Sequence, residues 1–300
     1  MSANAPRENV SAVAFLDGIG PLIERYDGFL LDQWGVLHDG ANAYPGAREC
    51  LARLRDAGKA IAIVSNSGRR DSENETLLAR MGFPRALYDG VISAGDDARD
   101  AILNDPDPFY RTLGKRCFVL ARENEDGLVD GLGVTQTERI ADADFLFALS
   151  MDSPRQSVAG WQPILEAAVA RDLPMVCGNP DIWRVHADGQ LYEAPGLLGR
   201  AYAARGGRVR YHGKPEPRIY RTSLACLGLS ADRVLAVGDS LEHDVAGAVG
   251  SGIDAAFILG GIHRHDVAWR SSNEFNQADC LRLIENAASR PLYVMSHFTF

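Results

Sequence analysis

A chain of 300 residues that is 46% hydrophobic and 24% charged reads as an ordinary globular protein, long enough for two domains. That balance excludes disordered and fibrous classes, and a formal charge of −9 argues against a polyanion-binding surface, so no nucleic-acid partner is expected. The longest apolar runs, such as AFILGGI at 256–262, fall well short of the roughly 18 residues a membrane span needs, so no membrane segment is expected.

Arg7 and Glu8 interrupt the only N-terminal stretch that could serve as a leader, which makes a cytoplasmic location the expectation. Cys50, Cys117, Cys177, Cys226 and Cys280 are odd in number and form no CxxC pair, so buried free thiols are expected and not a disulfide framework.

Taken in chain order, GFLLD at 28–32 is a short apolar run stopping at an acid, the pattern of a buried strand. In PGARECLARLRDAG the residues Ala47, Cys50, Leu51 and Leu54 fall at helical spacing, and Gly58 stands where a helix-ending glycine would. AIAIVSNS at 60–67 reads as a second buried strand entering a polar turn. RCFVLAR, DFLFALS, WQPILEAAVARD and LPMVCGN then make a second strand-and-helix series, flanked by the proline-rich loops NDPDPFY and GKPEPR. RVLAVGDS (233–240) and DAAFILGG (254–261) return to the first pattern, with a helix over EHDVAGAVGSG between them.

The expected fold is therefore α/β: a Rossmann-like parallel-sheet core from residues 1–91 plus 206–300, with a large α/β cap domain inserted at 92–205. The uncharged tail after Arg290 is expected to pack on the core or on a second subunit, as in a homodimer.

Ligands of open parallel sheets bind at the carboxyl ends of strands, which is where Asp32, Ser65, Asn66 and Asp239 fall, with Lys214 in a loop shortly before the last. Each has a plainer reading alone. Asp32 could serve a turn, Ser65 a helix cap, Lys214 a solvated surface, and DSLE at 239–242 a capping box with Asp239 at its head and Glu242 three residues on.

Their order along the chain is another matter. DQWGVL (Asp32 to Leu37), VSNS (Val64 to Ser67), GKP around Lys214 and VGDSLEHD (Val237 to Asp244) together resemble the four motifs of the haloacid dehalogenase (HAD) superfamily of phosphohydrolases. The large insertion between the second and third motifs, with HDGANAYPGA at 38–47 and GNPD at 178–181, resembles the NagD-like class with its α/β cap.

The resemblance implies a Mg²⁺-dependent hydrolase of a small phosphorylated metabolite, with Asp32 as nucleophile and an aspartyl-phosphate intermediate. It implies that Ser65 and Lys214 assist catalysis by holding and neutralising the phosphoryl oxygens, and that Asn66 and Ser67 contact substrate. Asp32, the Trp34 carbonyl, Asp239 and Asp244 would hold the cation.

One position departs from the pattern. Phosphatases of the superfamily place a second aspartate two residues after the nucleophile, where it acts as general acid, and this chain has Trp34. An indole cannot do that work. His38, His243 or Asp181 could supply the proton instead, or turnover could be confined to good leaving groups. The alternatives are a phosphate-ligand binding or sensing protein that has lost turnover and a dehalogenase-type hydrolase, the latter disfavoured by the retained Asp239 and Asp244. In the cap, GNPDIWRVHADGQLYEAPG at 178–196 is the expected substrate loop, with Asn179 and Asp181 reaching the substrate, while Trp183, Arg184 and His186 read as hairpin residues or as a grip on a ring or second anion.

Overall fold

In the computed structural model, which describes residues 13–123 and 125–300, the strands form two parallel sheets and a hairpin. In chain order they are β1 (Ala14–Phe15), β2 (Gly28–Leu31), β3 (Ala60–Ser65), β4 (Gly90–Ser93), β5 (Arg116–Leu120), β6 (Thr135–Gln136), β7 (Phe145–Ala148), β8 (Met175–Cys177), β9 (Trp183–Val185), β10 (Leu191–Glu193), β11 (Val209–Tyr211), β12 (Val234–Gly238), β13 (Asp254–Ile258) and β14 (Tyr293–Met295). The larger sheet runs β1-β14-β13-β12-β2-β3-β4 and the smaller runs β11-β8-β7-β5-β6, with every neighbour parallel. β9 and β10 form an antiparallel hairpin beside the smaller sheet's chain. This is the expected Rossmann-like core with a second α/β unit inserted into it.

The core strands read as unbroken apolar runs because both faces of the sheet are covered. Phe29 and Leu31 enter one cluster with Ile61, Ile63 and Val237, while Leu30 enters the other with Ala62, Val64 and Ala236. The helix Ala47–Asp56 buries Ala47, Cys50, Leu51 and Leu54 as its spacing requires. Gly58 then turns left-handed at φ 72°, donating to the Arg55 carbonyl at 2.9 Å while Lys59 donates to that of Leu54 at 3.1 Å.

The chain winds from β2 outward to β4 on one side and from β12 outward to β14 on the other. Strand order thus reverses between β2 and β12, and the crevice at such a switch point is where open α/β sheets bind ligands. Asp32 and Asp239 follow those two strands directly.

Strand membership moves the domain boundaries expected at 92 and 205. Ile92 and Ser93 pair with Val64 and Ser65 in the larger sheet, and β11, beyond residue 205, pairs with β8 in the smaller one. The two crossings between units are tied together by Asp97, in the helix Ala94–Asn104, which accepts from Arg218 Nε at 2.8 Å and lies 2.8 Å from His212 Nδ1. Of the proline-rich loops, NDPDPFY instead holds a helical turn, Pro108–Arg111, headed by Asp107. The C-terminal tail does pack on the core: β14 lies between β1 and β13, and Phe298 is buried. The five cysteines are free thiols, but Cys226 is exposed where a buried thiol was expected, because it lies on the outer side of the helix Pro217–Leu227. Among the described residues no helix is long and apolar enough to cross a membrane.

Candidate active site

Asp32, Ser65, Lys214, Asp239 and Asp244 converge at the switch point, each less than a tenth exposed. Lys214 Nζ donates to Asp32 Oδ1 at 2.5 Å and to Asp244 Oδ1 at 2.6 Å. Asp239 Oδ2 accepts from the Ile262 amide at 2.8 Å, and Asp244 Oδ2 from the Ser240 amide at 3.0 Å. Glycines let these carboxylates sit so close. A Cβ on Gly35, where φ is +93°, would lie 1.8 Å from Asp239 Oδ2.

The capping box expected in DSLE is displaced by one residue. Ser240, not Asp239, heads the helix, its hydroxyl accepting from the His243 amide at 3.1 Å, and Glu242 reaches across to Arg200 on the cap side. Asp239 is taken up by Ile262, so a serine one residue on completes the cap. The first turn, Leu241–Val245, is π-helical, with the Val245 amide donating to the Ser240 carbonyl at 3.0 Å; such turns often mark functional sites because they re-aim a side chain, here that of Asp244.

Four expected substrate contacts have other partners. Asn66 binds both sides of the Lys214 peptide, Oδ1 accepting from its amide at 2.7 Å and Nδ2 donating to its carbonyl at 3.2 Å, so its side chain positions the lysine. The Ser67 hydroxyl accepts from the Arg69 amide at 3.2 Å within its own turn. Asn179 Oδ1 likewise accepts from the Asp181 amide at 3.2 Å. Asp181 accepts from Asn66 Nδ2 at 2.7 Å and lies 3.2 Å from His243 Nδ1, joining cap to core. Ser65 differs: its oxygen accepts from the Ser67 amide at 3.2 Å, which leaves its hydroxyl hydrogen free to donate.

Trp34 is spent on the cap. Its indole N–H donates to the Val185 carbonyl of β9 at 2.5 Å, its ring meets that of His38 edge-on at 5.4 Å, and the Arg184 guanidinium stands 5.7 Å from its centroid. A Cβ on Gly40, at φ +94°, would lie 2.2 Å from the indole, so that glycine makes room for it. His38 cannot replace the missing acid. It is fully buried, accepts from the Gly40 amide at Nδ1, faces the Gln33 amide at Nε2, and is held neutral by burial, which lowers it to about 4. Replacing Trp34 with phenylalanine is expected to strip the hairpin of its one hydrogen bond to this ring, about 1 kcal/mol, and to raise amide exchange across residues 183–193 while the core sheet stays protected. Unchanged exchange there would remove the tether.

Three buried carboxylates face one lysine. One oxygen from each of Asp32, Asp239 and Asp244 lies within 4.8 Å of the others, an all-oxygen donor set suited to a hard divalent cation. Without a cation the arrangement is strained electrostatically. Burial first, then the Asp244 charge, raises Asp32 from 3.8 to about 7 despite Lys214, and burial with the charges of Asp32 and Asp244 pushes Asp239 well above the carboxylate range. Lys214 is held well above its usual value, because the two aspartates outweigh its burial.

A carboxyl raised on folding makes the folded state bind more protons than the unfolded one. Metal-free protein is therefore expected to lose stability as pH rises from 3.8 through about 7, the sense opposite to that of Asp97 and Asp181, whose contributions are lost only at lower pH. Thermal melts in chelator across that range should show the fall, and Mg²⁺ should remove it. A profile identical with and without Mg²⁺ would exclude a cation among these residues.

Sequence reasoning found the carboxylates and the lysine but missed Arg69 and Arg122, which line the same cavity as Asp32, and weighed Arg184 mainly as a hairpin residue. Three segments far apart in sequence bring them together, and no local spacing signals it.

Comparison with known proteins places this site in a family. Residues 29–135 match the model for haloacid dehalogenase-like hydrolases and residues 211–282 a second HAD-hydrolase-like model. Chronophin from Bos taurus is 30% identical over 270 residues, 85% of this chain and 87% of that protein. The ribonucleotide monophosphatase NagD from Escherichia coli is 26% identical over 241 residues, 77% of this chain and 86% of that one. A crystal structure of a haloacid dehalogenase-like hydrolase from Brucella suis superposes with a TM-score of 0.80 at 28% identity, covering 95% of this chain and 100% of that one. The chain belongs to the haloacid dehalogenase-like hydrolases. Its inserted α/β unit is that of their NagD-like class.

Proposed function

We propose that this hydrolase is a Mg²⁺-dependent phosphatase of small phosphate monoesters that works through an aspartyl-phosphate on Asp32. The observation that carries the reading is the buried Asp32–Lys214–Asp244 ion triad beside Asp239, at the switch point of the sheet. Deprotonated Asp32 attacks phosphorus in line, the bond to the ester oxygen breaks, and that oxygen leaves with the electron pair as an alkoxide or phenoxide that takes its proton from solvent. Water then attacks the phosphorus, releasing inorganic phosphate and restoring Asp32. Lys214 and the Ser65 hydroxyl bind phosphoryl oxygens. When bound, Mg²⁺ would be held by Asp32, Asp239, Asp244 and the Trp34 carbonyl, and would supply positive charge to the same oxygens.

Trp34 sets the character of the reaction. With the indole bonded to Val185 and His38 buried, no acid at position 34 or 38 protonates the leaving oxygen, a loss of roughly a hundred- to ten-thousandfold for poor leaving groups. Purified protein with Mg²⁺ should release phosphate from p-nitrophenyl phosphate, and log kcat/KM over a series of aryl and alkyl esters should fall steeply with leaving-group pKa. A flat series would mean that a side chain does deliver the proton. No release above Asp32→Asn would favour the other reading that Trp34 suggests, a phosphate-binding protein without turnover.

A further inference from the structure

The cavity above Asp32, about 470 Å³, carries three guanidinium groups that the chemistry at Asp32 leaves unused. Arg69 comes from the turn after β3, Arg122 from just past β5, and Arg184 from the middle of β9. Among the described residues no hydrogen bond or ion pair holds the Arg69 guanidinium. Arg184 donates from Nη2 to the Ser153 carbonyl at 3.2 Å, while its buried Nε has no partner. Arg122 donates from Nε to the Met151 carbonyl at 3.2 Å, and Glu125 stands 3.8 Å away with its other oxygen bonded to the Ser150 hydroxyl. Of the remaining acids nearby, Glu193 accepts from the Val158 amide at 2.8 Å, and Asp152 lies 3.7 Å from Arg155 while its charge also reaches Arg122 and Arg184.

The cations feel one another. Burial and the charge of Arg69 lower Arg122 despite Glu125 and Asp152, and burial with Arg122 and Arg69 brings Arg184 down to about 10 despite Asp152. Like charges held together and only partly offset by Glu125 and Asp152 are a standing cost that an anionic ligand relieves. The Trp34 ring, 5.7 Å from the Arg184 guanidinium, lines the same cavity as Asp32, and Leu149, Met151 and Ile182 add apolar wall.

We infer that Arg69, Arg122 and Arg184 bind a second anionic group of the substrate, so that the preferred ester is a small phosphate monoester that also carries a carboxylate or a second phosphate. The inference rests on the phosphatase reading and narrows its substrate class. The first group is placed against Asp32 and Lys214, the second against the guanidinium cluster, and the carbon frame lies along Trp34.

The test compares phenyl phosphate, 3-carboxyphenyl phosphate and benzene-1,3-diyl bisphosphate at saturating Mg²⁺. At least one charged ester should exceed phenyl phosphate about tenfold to a hundredfold in kcat/KM, mostly through KM, the scale of a charge-assisted hydrogen bond or two. Which one exceeds it tells carboxylate from phosphate. In Arg122→Gln and Arg184→Gln the ratio should collapse towards one, and Arg122→Lys should restore part of it, which a merely structural arginine would not do. A ratio of one in the parent protein, or a ratio that survives both glutamine variants, overturns the inference. If no ester is turned over above Asp32→Asn, the phosphatase reading fails on its own. Calorimetry of phosphonoacetate against ethylphosphonate then decides the present point, with tighter binding of the former, lost in the glutamine variants, expected and equal binding fatal.

Discussion

Asp32→Asn should lower phosphate release roughly ten-thousandfold or more, the scale seen when a covalent nucleophile is removed, and should do so without unfolding the protein. The second half of that expectation comes from the site's charge balance. Asp32 sits raised to about 7 because burial and Asp244 outweigh its bond to Lys214, so the carboxylate is a liability to the metal-free fold at neutral pH. An amide in its place can still accept from Lys214 Nζ and leaves that lysine paired with Asp244. The melting temperature of the metal-free variant should therefore equal or exceed that of the parent. A large drop would show that Asp32 holds the fold as well as the chemistry, and residual turnover at parental level would place the nucleophile elsewhere.

Lys214→Met is expected to act in the opposite sense. Among the described residues it removes the only cation that touches Asp32 and Asp244, and stranding buried charge in this way costs about 3–5 kcal/mol. Part of that cost will be avoided by proton uptake, so the destabilisation should grow with pH and shrink when Mg²⁺ is added. Turnover should fall by two to three orders of magnitude even at saturating Mg²⁺, as when one charge-stabilising donor is lost from an active site. Chemical denaturation at two pH values, with and without Mg²⁺, reads the first effect, and steady-state rates read the second. A pH-independent loss of stability would mean that the methionine disturbs packing and that charge is not the issue.

The core and its site were legible because their signals are local. The central strands are covered on both faces and so show as apolar runs, and two of these runs end at residues of the candidate site, Asp32 just after β2 and Ser65 as the last residue of β3. What could not be read depends on contacts made across the insertion. Whether Asp239 or Ser240 heads the next helix is decided by the Ile262 amide, 23 residues further on. The destination of Trp34 is decided by the Val185 carbonyl, 151 residues away, and nothing beside DQWGVL points there. The arginines at 69, 122 and 184 become one cluster only when β3, β5 and β9 are folded. Edge strands such as β11 carry only three residues, too few for a pattern to mark the boundary they define.

The Asn66 amide, which grips the Lys214 peptide from both sides, has a practical consequence for exchanging parts between such enzymes. Lys214 follows β11 by three residues, so it travels on the segment by which the chain leaves the cap. Because Asn66 belongs to the core and fastens that segment, and Asp97 fastens His212 just ahead of it, the lysine is anchored to the core although it is strung beside the cap. A foreign cap spliced between Asn104 and His212 would therefore find the counter-charge already in its seat, and recognition could be transplanted without rebuilding the machinery beneath it.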